Sequence, residues 1–143
     1  HNGLTFCAGS FSAGEHNDCV SMAKQFADRT HFVHLRSCYI FPNGNFTEAS
    51  HLGGRGHLIE LCRIFEKAEQ EGKCNSGRRL PMRVDHGMTF TDEPGGVFDE
   101  SNHGHNAGYT LLGRMFAMGQ IQGVIATVDD ELGIEYKQPG FYD

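Results

Sequence analysis

The stretch His31-Phe32-Val33-His34-Leu35-Arg36 gathers aromatic and β-branched residues into six positions, the composition of a short strand, and ends on side chains that carry chemistry. Side chains alternate along a strand at period two, so His34 and Arg36 share one face. Two other stretches are built alike. Leu4-Thr5-Phe6-Cys7 is short, apolar and β-prone, and it runs into a small-residue loop over residues 8–14. Leu80-Pro81-Met82-Arg83-Val84 has its proline at the entry, where a missing N–H matters least, and it leads into Asp85-His86, with Arg83 and Asp85 on one face.

Between these strands lie helical patterns. Asn17 or Asp18 can cap a helix whose apolar stripe is Val20, Met22, Ala23, Phe26 and Ala27. A polar loop is expected over residues 37–56. Leu58, Ile59, Leu61, Cys62, Ile64, Phe65 and Ala68 then outline the strongest amphipathic helix of the chain, which Gly72 stops. A second long loop over residues 85–108 precedes a helix expected from Tyr109 to about Met118. Beyond it lies one more apolar run, Val124-Ile125-Ala126, and residues 126–143 are expected to form a loose tail.

The order βαβαβα is that of an α/β protein with a parallel sheet, in which ligands bind at the carboxyl ends of the strands. Three βα units are too few to close a (β/α)8 barrel. The chain is therefore read either as a small open sheet or as the last units of a barrel whose other units lie upstream.

Charge and cysteine usage narrow the function. Twelve Lys and Arg stand against eighteen Asp and Glu, a net charge of −6, with no basic cluster. That argues against a nucleic-acid partner or an anionic membrane surface, both of which need basic patches. Five cysteines, with no CxxC pair, read as reduced thiols of a cytoplasmic protein rather than a disulfide framework.

Cys7, His34 and Asp85 each stand at a strand end, so a parallel sheet would bring all three to one rim. A thiolate, an imidazole and a carboxylate suit Zn²⁺, Mn²⁺ or Fe²⁺, and three protein ligands leave positions open for substrate. Each has a plainer reading: a lone cysteine on an apolar strand is ordinarily a packing residue, and an aspartate after a strand a loop residue. Arg36 and Arg83 on the same faces would suit an anion, or an ion pair within the chain.

Phe6-Cys7-Ala8-Gly9-Ser10, His34-Leu35-Arg36-Ser37, Pro81-Met82-Arg83-Val84-Asp85-His86-Gly87, Gly108-Tyr109 and Leu112-Gly113-Arg114 together resemble the mannonate dehydratase family. Glu48-Ala49-Ser50-His51-Leu52 continues the likeness, which runs from about Asn2 to Val124. The chain departs from the family at Val84 and Ala107, where proline is usual, and in an acidic, glycine-rich insertion over residues 91–104.

The resemblance implies a TIM barrel of the xylose-isomerase-like kind, of which residues 1–125 would be the C-terminal part and residues 126–143 a tail. It implies Mn²⁺ or Fe²⁺ held by Cys7, His34 and Asp85 plus a further histidine upstream, with His86 and Tyr109 as the acid/base residues. The implied reaction dehydrates D-mannonate to 2-keto-3-deoxy-D-gluconate, in glucuronate catabolism, by a homo-oligomeric enzyme. Arg36 is expected to hold the substrate carboxylate. The alternatives are another metal-dependent sugar isomerase or epimerase of the same barrel superfamily, a metal-binding module without chemistry, or an inactive fragment.

Overall fold

The computed structural model describes residues 2–90 and 108–135. Strands β1 (Leu4–Cys7), β2 (Thr30–His34) and β5 (Met82–Arg83) form a parallel sheet in the order β1-β2-β5. Phe6 lies in register with Val33, and Cys7 with His34. That register sorts the two faces: Phe6 and Val33 are buried in the core, while Cys7 and His34 point to the other side and stay partly open.

Helices cover the first face. Helix α2 (Cys19–Phe26) starts at Asp18, whose Oδ1 accepts hydrogen bonds from the Val20 and Ser21 amides, each at 3.0 Å. It satisfies two of the donors that a helix start leaves free. Helix α3 (Leu58–Gln70) buries Leu58, Leu61, Cys62, Phe65 and Ala68. It ends as its sequence predicts, with Gly72 at φ +64° and the Lys73 amide donating back to the Ala68 carbonyl at 2.8 Å. Phe65 meets Phe6 edge to face, with ring centroids 5.2 Å apart. Each such ring removed from water contributes roughly 1.5–3 kcal/mol.

Three elements differ from expectation. Residues 8–14 contain a short helix, α1 (Ala8–Ser12), rather than only a loop. Residues 37–56 contain an antiparallel hairpin of β3 (Cys38–Ile40) and β4 (Phe46–Glu48), turned through Asn43-Gly44. The third is α4 (Leu111–Leu132), one continuous helix where an end near Met118 and a tail from residue 126 are expected. Gly119 and Gly123 fall inside it, and each lowers helix stability by only about 1 kcal/mol. Ala117, Ile121 and Val128 carry the helix's buried stripe past both of them into the core, and the helix closes at Gly133, with φ +68°.

All of α2, α3 and α4 join one core cluster with Phe6, Val33 and Leu35. The sheet is thus helix-covered on one face, and its Cys7 and His34 face is left for chemistry. Among the described residues α4 is long and apolar enough to cross a membrane, a test that a core helix also passes.

Candidate metal and acid/base site

The register that pairs Cys7 with His34 also pairs His34 with Arg83, so three strand ends line up on one rim. Asp85 follows two residues on. Its backbone is left-handed, with φ +58°, a conformation that aspartate tolerates better than most residues. The strain is held by partners: Arg83 Nη2 donates to Asp85 Oδ1 at 2.6 Å, and the Tyr109 hydroxyl donates to the same oxygen at 2.8 Å. Buried His51 keeps its Nε2 3.0 Å from the Val84 carbonyl, fixing the backbone just before Asp85.

The Cys7 sulfur, a His34 ring nitrogen and an Asp85 carboxylate oxygen all lie within 4.8 Å of one another. His34 Nδ1 and Asp85 Oδ2 are 3.7 Å apart, too far for a hydrogen bond and fitting for two ligands of one ion. Burial pushes the His34 pKa down against the pull of Asp85, which favours the neutral ring a metal requires. Burial tends to raise the Asp85 pKa, but the Tyr109 hydrogen bond and the charges of His34, His86 and Arg83 hold it below the usual carboxylate value. Ser10 Oγ donates to the Cys7 sulfur at 3.2 Å, a support of the kind that orients metal ligands. The donor set therefore fits a divalent transition metal by its geometry, and His34 and Asp85 fit it by their ionisation as well.

His86 and Tyr109 flank Asp85. Their rings meet edge to face with centroids 4.4 Å apart, and His86 Nε2 is 4.0 Å from Asp85 Oδ2. Tyr109 reaches the site because the Gly87 amide donates to the Gly108 carbonyl at 2.8 Å. Gly108 has φ +86°, and a Cβ there would strike the His86 side chain. Burial and the Asp85 carboxylate both push the Tyr109 pKa up, so its hydroxyl keeps a proton at neutral pH.

Arg36, expected to hold a substrate carboxylate, meets a carboxylate of the chain itself: Nε lies 2.8 Å from Glu48 Oε2 and Nη2 lies 2.5 Å from Oε1. Both side chains are nearly closed off, at 13% and 8% exposure. Glu48 itself was not among the expected site residues. The signal that points to it is Asn43-Gly44 between two β-prone runs, a hairpin signature that folds β4 back over the rim. The expected insertion over residues 91–104 lies outside the described residues.

Comparison with known proteins finds relatives along nearly the whole chain. The family model for D-mannonate dehydratase (UxuA) matches residues 1–134. Mannonate dehydratase 2 of Agrobacterium fabrum is 37% identical over 134 residues, which are 92% of this chain and 32% of that protein. The mannonate dehydratase of Saccharophagus degradans is 38% identical over 130 residues, 90% of this chain and 31% of that protein. The crystal structure of mannonate dehydratase from Streptococcus suis serotype2 superposes with a TM-score of 0.69 at 21% identity, covering all of this chain and 39% of that one. The likeness to that structure shows that the fold is shared. The chain spans about a third of the length of the curated relatives it matches. With the matched family model covering nearly all of its residues, the chain belongs to the D-mannonate dehydratase family.

Proposed function

We propose that this chain supplies the metal-binding and acid/base rim of an enzyme that dehydrates D-mannonate to 2-keto-3-deoxy-D-gluconate. The observation that carries the reading is the convergence of Cys7, His34 and Asp85 within 4.8 Å, beside the contacting pair His86 and Tyr109. Helices on one face of a parallel sheet and ligands on the other are what a segment of a (β/α)8 barrel wall looks like, and a barrel is the architecture we assign to the whole enzyme. The metal is Mn²⁺ or Fe²⁺, held by Cys7, His34, Asp85 and a ligand from outside this chain. When bound it would supply Lewis-acid stabilisation of the negative charge that develops on the substrate.

The chain's own residues would handle the protons. Dehydration takes a proton from C2 and releases the C3 hydroxyl as water. Tyr109, held protonated, suits donation to the departing hydroxyl, and His86 suits removal of the C2 proton; residues in such roles contribute about 10²–10⁴-fold each. Arg83 is 39% exposed on the same rim and is the cation more open to the substrate carboxylate than Arg36. Its position beside Asp85 leaves the substrate's carboxylate end close to the metal ligands. Five free cysteines, four of them buried, support a cytoplasmic setting. We infer further that the working enzyme is a homo-oligomer, as the family resemblance implies.

The test is formation of a 2-keto acid from D-mannonate by the purified natural-length protein, with and without Mn²⁺. Product that appears only with metal supports the reading. Isomerised sugar with no keto-deoxy product would replace dehydration with isomerase chemistry on the same rim.

A further inference from the structure

Among the described residues, Glu48 is a carboxylate at this rim with a closed-off side chain that is not placed to bind the metal. Its side chain is 8% exposed, and it reaches the site only because the β3-β4 hairpin pairs it with Cys38 at the carboxyl end of the sheet. Oε2 faces Arg36 Nε at 2.8 Å, while Oε1 lies 2.5 Å from Arg36 Nη2 and 3.1 Å from His86 Nδ1. Arg36 is itself pressed over α1, where Gly9 leaves room for it: a Cβ on Gly9 would strike the Arg36 side chain. One end of the carboxylate is thus clamped, and the other touches His86.

We propose that Glu48 is a positioning residue that fixes the tautomer and orientation of the His86 ring. An ionised carboxylate only accepts hydrogen bonds, so the nitrogen facing it must carry the proton. With Nδ1–H turned to Glu48, the ring presents Nε2 to the side where Asp85 lies 4.0 Å away. The Tyr109 ring packs edge to face against the same imidazole, with centroids 4.4 Å apart. Arg36 holds Glu48 in place, so its contribution to the site passes through Glu48 and then His86. This deepens the dehydratase reading and rests on it for the meaning of Nε2, but the tautomer can be measured without catalysis.

The experiment is ¹⁵N NMR of ring-labelled histidines in the natural-length protein with its metal removed, the His86 signal being identified by its loss in His86→Gln. The expected wild-type result is a ring that carries its proton at Nδ1, and Glu48→Gln is expected to shift it toward the Nε2–H form. In the metal-loaded enzyme Glu48→Gln is expected to lower kcat about 10–100-fold, the usual cost of losing a partner that orients a site residue. KM should change less than about threefold, and metal content should be unaltered, since Glu48 touches neither.

A wild-type ring with no proton at Nδ1 overturns the proposal and needs no variant to fold. So does a Glu48→Gln enzyme with unchanged tautomer and kcat. If the wild-type protein does not dehydrate D-mannonate while His86 shows the Nδ1–H form lost in Glu48→Gln, the positioning role stands and only the assigned reaction falls.

Discussion

The Tyr109 hydroxyl and Asp85 Oδ1 are 2.8 Å apart, although 24 positions separate them in the chain. The other Asp85 oxygen faces His34 at 3.7 Å. One carboxylate therefore joins the residues proposed to hold the metal to the proposed acid/base pair, and a metal held there would also draw charge from the acceptor of the Tyr109 proton.

Tyr109→Phe keeps the ring against His86 and removes only the hydroxyl, so the fold should survive. We expect kcat to fall about 10²–10⁴-fold, with metal affinity changed far less. His86→Ala should cost a similar factor. Steady-state kinetics beside circular dichroism of each variant checks this, and near-normal turnover in both would remove them from the proton-transfer roles.

Cys7→Ser, His34→Gln and Asp85→Asn should each weaken Mn²⁺ binding by more than the roughly 10–100-fold that loss of an outer supporting group costs. Asp85→Asn should be the most damaging, because it also removes the negative charge of the acceptor that Arg83 and Tyr109 share. Calorimetric titration of metal into the stripped proteins gives the three affinities. Unchanged binding in any one variant would exclude that residue as a ligand.

Much of this rim was legible in the sequence because strand ends announce themselves. Phe6 and Val33 in register are what any apolar, β-branched run would give, and the residues that follow them, Cys7 and His34, must then share the opposite face. Asp85 was legible for the same reason. The capping Asp18 and the stop at Gly72 were read from local chemistry alone. What could not be read this way was tertiary: whether Arg36 meets a substrate or a glutamate depends on where a hairpin twelve residues later folds. The continuity of α4 was not legible because the run Val124-Ile125-Ala126 reads as a separate segment until Ala117, Ile121 and Val128 are seen to share one core.

Gly113 tests how tightly α4 must seat for Tyr109 to reach Asp85. A Cβ at Gly113 would run into the Met88 carbonyl oxygen, and one at Gly87 would meet the Gly113 backbone; backbone atoms cannot swing aside as a side chain can. Gly113→Ala should therefore push the start of α4 away from residues 86–88, costing about 1–3 kcal/mol of stability as overpacking does. Because Tyr109 precedes that start by two residues, kcat should fall more than the lost stability explains. Thermal melts and kinetics at a temperature where the variant is fully folded separate the two effects. A variant with a normal melt and normal turnover would show that α4 has room to spare.

A last prediction concerns the far side of α3, remote from the rim. Burial raises the Glu66 pKa from its ordinary 4.5 to about 7, and the nearby Asp129 and Glu69 carboxylates add to the shift while Arg79 opposes it. Asp129 is also raised by burial, and its Oδ1 has no hydrogen-bond partner among the described residues. A carboxyl group whose folded pKa exceeds its unfolded one makes folding proton-binding. Its stabilisation is complete below pH 4.5 and is lost as pH rises through about 7. Glu66→Gln removes that ionisation, so the variant should match the wild type near pH 4.5 and be more stable at pH 8. With Glu66 partly open to solvent, the gain after screening should be about 1 kcal/mol. Melting temperatures measured on metal-free protein from pH 4.5 to 8 decide it: the two curves should part between those limits, and parallel curves would mean that Glu66 ionises as freely in the folded protein as in the unfolded chain.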